Sequence, residues 1–377
     1  MRIAVLGAGA MGSAAAMLLA RKTEVDIVVL DTDRARADGV VERAGRGEAR
    51  ALDASAGDLA AALVPVDAVA ACLPYRLNLV AMEAALAARC PYADLGGLFH
   101  MTKRQLEMDE AFRSDGVPAV IGVGACPGLT NVCARLGADR LDTVHTIELF
   151  DGAREQRDEF GIPYSAETIL DEFVMPAMVF EEGTMREAPA ASGAMSFTFL
   201  EPVGEMEAFY TLHSELATLP GTIPGVRNVR WRLALPPAIA QGFRTLVGLG
   251  LASDEPIETG AGPVVPRELL LALLGRMPQP QGPPHDVEAM EIRVTGTRAG
   301  APARFVAQTL FYPQPEAISA GAFGTALPIT VCARWLAEGR VPPGVHPPEV
   351  VLDPEKFLEE VVAEGVILHV AMHEDIV

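Results

Sequence analysis

Over residues 1–140, short apolar runs alternate with longer stretches that are apolar on one side only. Ile3–Leu6 ends in glycines and leads into the Ala/Leu-rich helical stretch Met11–Arg21. β-Branched residues run from Val25 to Asp31, and Ala49–Asp53, Asp67–Leu73, Pro91–Leu95 and Ala119–Val123 read as further strands. Between them, Arg76–Arg89 carries Leu79, Met82, Ala85 and Leu86 on one helical face. Thr102–Arg113 reads as an amphipathic helix with Thr102 as its N-cap, and Pro127–Ala138 as a helix opening on proline. Strand and helix in regular alternation predict an α/β fold built on a doubly wound parallel sheet.

Beyond residue 141 the pattern changes. Val144–Phe150, Met206–Leu212, Val229–Leu235, Val287–Thr297 and Arg304–Tyr312 alternate apolar with polar, as half-buried antiparallel strands do. Helical stretches are Glu167–Val174, Ala238–Leu249 and Arg267–Leu274, and a Pro/Gly-rich connector covers Met277–His285. Gly324–Gly339 and Pro354–Ala363 read as helices again. The expected organisation is an α/β domain over 1–140 and a mainly antiparallel α+β domain over 141–320. The helices of about 321–377 are expected to pack back on the first domain.

Half of the 377 residues are hydrophobic and 21% are charged, which excludes a disordered chain. Thirty basic against fifty acidic residues give a net charge of −20, which argues against nucleic acid and anionic membranes as partners. Arg2 followed by the uncharged run Ile3–Ala20 imitates a signal peptide, but its regularly spaced glycines mark a folded βα unit. The five cysteines are scattered with no C-x-x-C pair, which fits a reducing, cytoplasmic setting. Seven histidines, unaccompanied by paired cysteines, predict no metal.

The strongest motif is Gly7-Ala8-Gly9-Ala10-Met11-Gly12, a G-x-G-x-x-G after a strand and opening a helix. Gly7 allows a tight turn, Gly9 lets a pyrophosphate approach the backbone, and Gly12 brings helix and strand together. Asp31 follows Gly12 by 19 residues, where a carboxylate can hold both ribose hydroxyls. A Rossmann-type domain binding a nicotinamide dinucleotide is therefore expected, with NAD favoured because Asp31 repels a 2′-phosphate. NADP is the alternative, and Arg34 and Arg36 are the candidates for receiving that phosphate. At the carboxyl ends of later strands, Asp53 is placed to touch adenine, and Leu73, Pro74 and Tyr75 to line the nicotinamide side. Asn78 lies in the same turn. Asp53 and Asn78 have a capping role as their alternative.

Asp94-Leu95-Gly96-Gly97 and Gly122–Asn131 also fall at the mouth of the sheet. The second loop brings the Cys126 thiol there, as a nucleophile or as a polar wall of the pocket.

With the glycine motif, Leu73-Pro74-Tyr75-Arg76-Leu77-Asn78, Asp94-Leu95-Gly96-Gly97 and Cys126-Pro127-Gly128-Leu129-Thr130-Asn131, the chain resembles the saccharopine dehydrogenase family. Within it, the likeness is to saccharopine reductases, lysine 6-dehydrogenases and carboxynorspermidine dehydrogenases. It continues through Tyr164–Phe173, Tyr210–Glu215, Thr218-Leu219-Pro220 and Gly324–Pro328. The resemblance implies NAD(P)-dependent chemistry at a carbon–nitrogen bond and a second domain that also serves a homodimer. The chain departs from saccharopine reductases at Cys126, where they carry Asp.

Oxidation of an amine to an imine needs a base, and the reverse reaction needs an acid. The candidates are His213, Lys103, His100 and Glu215, the last also able to orient His213. Cys126, Tyr164, Arg244 and Asp94 are the candidate substrate ligands, with Ser165 capping the helix after Tyr164. Arg227, Arg230 and Arg232 offer a second basic group, read first as a solvated strand face. The expected function is an oxidoreductase acting on a CH–NH or CH–NH2 bond of an amino acid or polyamine-like substrate. A nucleotide-sensing scaffold and a carbonyl or alcohol dehydrogenase are the rival readings.

Overall fold

The computed structural model describes residues 1–155, 162–260, 262–277 and 282–374. Part of the expected connector Met277–His285 lies outside them. Seven parallel strands form the first sheet, in the order Gly344–His346, Pro118–Val120, Tyr92–Asp94, Ala68–Ala71, Arg2–Leu6, Asp26–Asp31 and Glu48–Ala51. Its central strands are apolar on both faces because helices cover both, and Ile3, Ala4 and Val5 are wholly buried. On one face lie Ala10–Ala20 and Ala320–Ala337, which pack on each other. Small side chains such as Ala14, Ala15, Ala322 and Ala326 are buried there.

The second sheet also has seven strands, in the order Ile367–Glu374, Ala301–Phe311, Asp286–Arg298, Thr143–Glu155, Asn228–Ala234, Ala177–Glu181 and Thr184–Ala188. The sheet is mainly antiparallel, as expected, except that Asn228–Ala234, read among the antiparallel strands, runs parallel to Thr143–Glu155, with Trp231 opposite Leu149 and Leu233 opposite Asp151. The long connection through Ala166–Val174, two hairpins and Glu215–Thr222 supplies the crossover that parallel pairing requires. One face carries Leu149, Trp231, Ile292 and Val294 into the core shared with the first sheet. The other packs Phe150 on Phe197, their ring centroids 3.9 Å apart.

Local details differ from the sequence reading in two places. Thr102 does not cap a helix: Leu98–Leu106 and Asp109–Ser114 are separate helices, and the buried Thr102 hydroxyl donates to Ser214 Oγ at 3.0 Å. Pro127 precedes its helix, which begins at Leu129 after Gly128, where φ is +131° and a Cβ would lie 2.1 Å from the Gly124 carbonyl oxygen. His369 and His373 have a four-residue spacing that on a helix would put both on one face. They lie on the edge strand Ile367–Glu374, where four residues span about 13 Å, too far to share a metal ion. No helix among the described residues is long and apolar enough to cross a membrane.

Candidate active site

The glycine turn is shaped by backbone contacts. Gly7 has φ +94° and donates its N–H to Leu30 at 2.7 Å; a Cβ there would lie 2.7 Å from the Cys72 carbonyl oxygen. A Cβ on Gly12 would lie 1.8 Å from the carbonyl oxygen of Gly7. Gly9 is different: a Cβ there meets nothing within 4 Å, so the turn has an open side at the start of helix Ala10–Ala20. No side chain caps that helix, and its first N–H groups suit a pyrophosphate. Ala8, Ala10 and Met11 complete this cradle. The half-buried Asp31 accepts from the N–H groups of Ala8 at 2.7 Å and Asp33 at 2.8 Å, which fixes its carboxylate beside the turn. The residues present fit a dinucleotide.

Around this turn the predicted residues have distinct surroundings. Arg34 is tied to Asp38 at 2.9 Å, while Arg36 is exposed. Exposed Asp53 accepts from both the N–H and hydroxyl of Ser55, which hold its carboxyl below the usual range. Leu73 borders Gly7, and Pro74 leads the turn Tyr75–Leu77. Tyr75 reaches across to the second sheet's side, donating to Asp171 at 2.8 Å. Asn78 is buried and donates to Gly96 O at 3.1 Å, fixing the loop after Asp94.

Asp94 organises both loops at the sheet's mouth. Its carboxylate accepts from the N–H groups of Gly96 and Gly122 at 2.9 and 2.8 Å, from Tyr92 at 3.1 Å, and from Gln105. Burial pushes its carboxyl above the usual range despite these donors. With both oxygens engaged by protein groups, Asp94 acts on loop shape.

The chemistry-bearing cluster lies where the second sheet meets the Cys126 loop. His213 stacks on Trp231, with centroids 3.9 Å apart and planes 11° from parallel. Trp231 is itself fixed by its Nε1–H, which donates to Thr211 at 2.8 Å. The Nδ1 atom of His213 is bonded to Glu215, and the other Glu215 oxygen accepts from Thr130 at 2.7 Å. Nε2 has no partner among the described residues and is not sealed from solvent. Burial opposes the imidazolium, but Glu215, Glu172 and Asp151 outweigh it and raise the His213 pKa.

Glu172 receives the Tyr164 hydroxyl hydrogen, and burial pushes its carboxyl up to about 7. Asp151 is likewise pushed up to about 7 by burial and adjoins Glu288, itself raised strongly by burial and by Asp151. Asp151 stands opposite Met290 in the strand pair, and the Cys126 thiol donates to the Met290 sulfur at 3.1 Å. Burial and the charges of Asp151, Glu215 and Glu288 keep the Cys126 thiol protonated, which suits a pocket wall rather than a nucleophile.

Of the sequence candidates, the structure brings His213, Glu215, Tyr164 and Cys126 together. Lys103 is exposed, its ammonium 5.6 Å from the Phe99 ring centroid, and His100 is exposed beside it. Arg244 is paired with Glu207 at 2.7 Å and lies over Phe209. None of these three has a bond to the cluster. Ser165 caps its helix, accepting from the Thr168 N–H at 3.3 Å. The sequence reading missed Asp151, Glu172 and Glu288. Its available signal was an acid at positions where the apolar pattern points inward.

Two family models divide the chain. The saccharopine dehydrogenase NADP binding domain matches residues 3–120, and the saccharopine dehydrogenase C-terminal domain matches 124–366. Among characterised relatives is carboxyaminopropylagmatine dehydrogenase of Synechocystis sp., 24% identical over 288 residues, which are 72% of each chain. Saccharopine dehydrogenase (L-Glu forming) from Saccharomyces cerevisiae has the same fold, with a TM-score of 0.79, 14% identity and 99% of both chains covered. With the dinucleotide cradle and the two-sheet architecture described above, these matches show that the chain belongs to the saccharopine dehydrogenase family of NAD(P)-dependent oxidoreductases.

Proposed function

We propose that the protein interconverts a secondary or primary amine and the corresponding imine on a cationic, polyamine-like substrate. The observation that carries this reading is the convergence of Asp151, Glu172 and Glu215 on one histidine, with Glu288 beside Asp151. Such an excess of buried carboxylates favours a positively charged ligand, since an unpaired charge away from water is costly. The curated relative that acts on carboxyaminopropylagmatine supports the same substrate class. Lysine-type and saccharopine-type amino acids form the second class to be compared.

The cofactor, held by Gly7–Gly12, Asp31, Leu73 and Pro74, supplies a hydride acceptor or donor when bound. NAD is taken as the preferred form because of the Asp31 carboxylate. Loss of a hydride from carbon and a proton from nitrogen turns CH–NH into C=N. His213 keeps its Nδ1–H on Glu215, so Nε2 is the atom that takes the nitrogen's proton. Glu215 positions the ring and is held in turn by Thr130. Tyr164 and Glu172 form the adjoining polar wall.

The proposal includes a homodimer, supported by the family likeness, and a cytoplasmic setting, supported by five free cysteines. The test is steady-state NAD(P)H formation with polyamines, amino acids and hydroxy acids as a panel. Turnover of amines, with kcat lowered about 100-fold or more in His213→Asn at unchanged cofactor affinity, is the expected result. Turnover of hydroxy acids alone would favour an alcohol dehydrogenase.

A further inference from the structure

The carboxylates of the cluster are not equally provided for. Glu215 has His213 and Thr130, and Glu172 has Tyr164. Glu288 is only 6% exposed, and its carboxyl is hydrogen-bonded to that of Asp151, with no other donor to it among the described residues. Its neighbour is Asp151, whose Oδ1 is sealed from solvent and has no hydrogen-bond partner. The nearby Asp286 accepts one N–H, from Gly321 at 3.1 Å, through its other oxygen, while its Oδ1 is also sealed and unpartnered. Buried polar atoms normally find partners, so this end of the pocket lacks a donor that a ligand can bring.

The sheet register places this end relative to the histidine. His213 lies on Trp231, the next strand carries Leu149 and Asp151 on the same face, and the strand beyond carries Met290 and Glu288. From Trp231, Asp151 is one strand over and two residues along, and Glu288 two strands over and four residues along, which spans about 8 to 16 Å. Among the described residues no set of His, Cys, Asp and Glu side chains is arranged to hold a metal ion. An organic cation with several N–H donors is the ligand that fits.

We propose that Asp151 and Glu288 bind a second cationic group of the substrate, an ammonium or guanidinium carried several methylenes from the reacting nitrogen. This rests on the amine reading above and adds the residues that distinguish a dication from a simple amine. A monoamine reaching His213 leaves Asp151 and Glu288 unserved. A dication of the right length serves both ends.

The test uses the full chain with its oxidised cofactor, titrated calorimetrically with α,ω-diamines of increasing length and with monoamines of matching length. In the wild type, diamine affinity should pass through a maximum at an ammonium separation between about 8 and 16 Å and then fall. A flat dependence on length would overturn the subsite. In an Asp151→Asn, Glu288→Gln double variant, diamine affinity should fall at least about ten-fold more than monoamine affinity does. Equal effects on both ligands would show that the two carboxyls merely share a proton, and would overturn it too. If the wild type oxidises amines but fails these tests, only the subsite falls. If it neither binds nor oxidises any amine, the amine reading falls and takes the subsite with it.

Discussion

Tyr75 donates its hydroxyl hydrogen to Asp171 at 2.8 Å, joining the turn beside the cofactor cradle to a helix of the other half of the molecule. Asp171 also accepts from Arg267 at 2.6 Å, and the two side chains are 2% and 8% exposed. Removing the hydroxyl deletes one bond to a charged group, so Tyr75→Phe should cost about 1.5–3 kcal/mol. Asp171→Ala removes the short partner of a buried guanidinium, leaving only Glu167 and Asp254 at 3.9 and 3.8 Å, and should cost more, about 3–5 kcal/mol. Urea unfolding of both variants measures the difference, and equal losses would contradict the arrangement.

Gly9 and Gly12 should fail in opposite ways. Gly9→Val fills open space, so unfolding should be unchanged while NAD(P)H binding, followed by nicotinamide fluorescence, is abolished. Gly12→Ala drives a methyl into the Gly7 carbonyl and should lower stability by several kcal/mol, about the cost of severe overpacking. Unaltered cofactor binding in Gly9→Val would remove the pyrophosphate from this turn.

We propose that Asp31 sets the cofactor preference. Replacing it with Ser removes the repulsion of a 2′-phosphate and a charge-assisted bond to the ribose. The ratio of kcat/KM for NAD to that for NADP should fall by about one to three powers of ten. A wild type that already prefers NADP would show that Asp31, held by Ala8 and Asp33, serves the turn rather than the ribose.

Glu172 gives a pH signature of opposite sign to that of a salt-bridged acid. Its carboxyl is raised by burial to about 7 in the folded protein, so the folded state binds the proton more tightly than the unfolded chain. Its contribution to stability is fully present below the ordinary carboxylate range and is lost as pH rises toward about 7. Glu172→Gln keeps a partner for Tyr164 without the charge. It should therefore raise stability at pH 8 by about 1–3 kcal/mol, with the gain fading by pH 4.5. Thermal melts at the two pH values measure it, and a loss of stability at pH 8 would contradict the sign.

The parallel sheet was legible because its strands are continuous apolar runs punctuated by glycines, from Ile3–Leu6 onward. Parallel pairing of Asn228–Ala234 was not, since alternation reports a half-buried strand and says nothing of its neighbour's direction. Glu215–Thr222 was missed as a helix because Pro220 lies inside it, and Gly344–His346 because three residues carry too little pattern. At the site, His213 and Glu215 stood out through a family-like run. Asp151 and Glu288 lie 137 positions apart in the chain, and only the strand pairing reveals that they are diagonal neighbours on one face.

The chain changes sheets late. Gly344–His346 completes the edge of the first sheet beside Pro118–Val120, and Ile367–Glu374 then closes the far edge of the second. A fragment cut at residue 120 would therefore expose an unpaired strand edge, the kind of surface that recruits other chains. During synthesis the nucleotide-binding half must wait, with that edge open, until more than 200 further residues have been made. The two halves are distinct in architecture but cannot be lent out separately, and any graft or split-protein design on this scaffold has to carry residues 344–346 along with the first sheet.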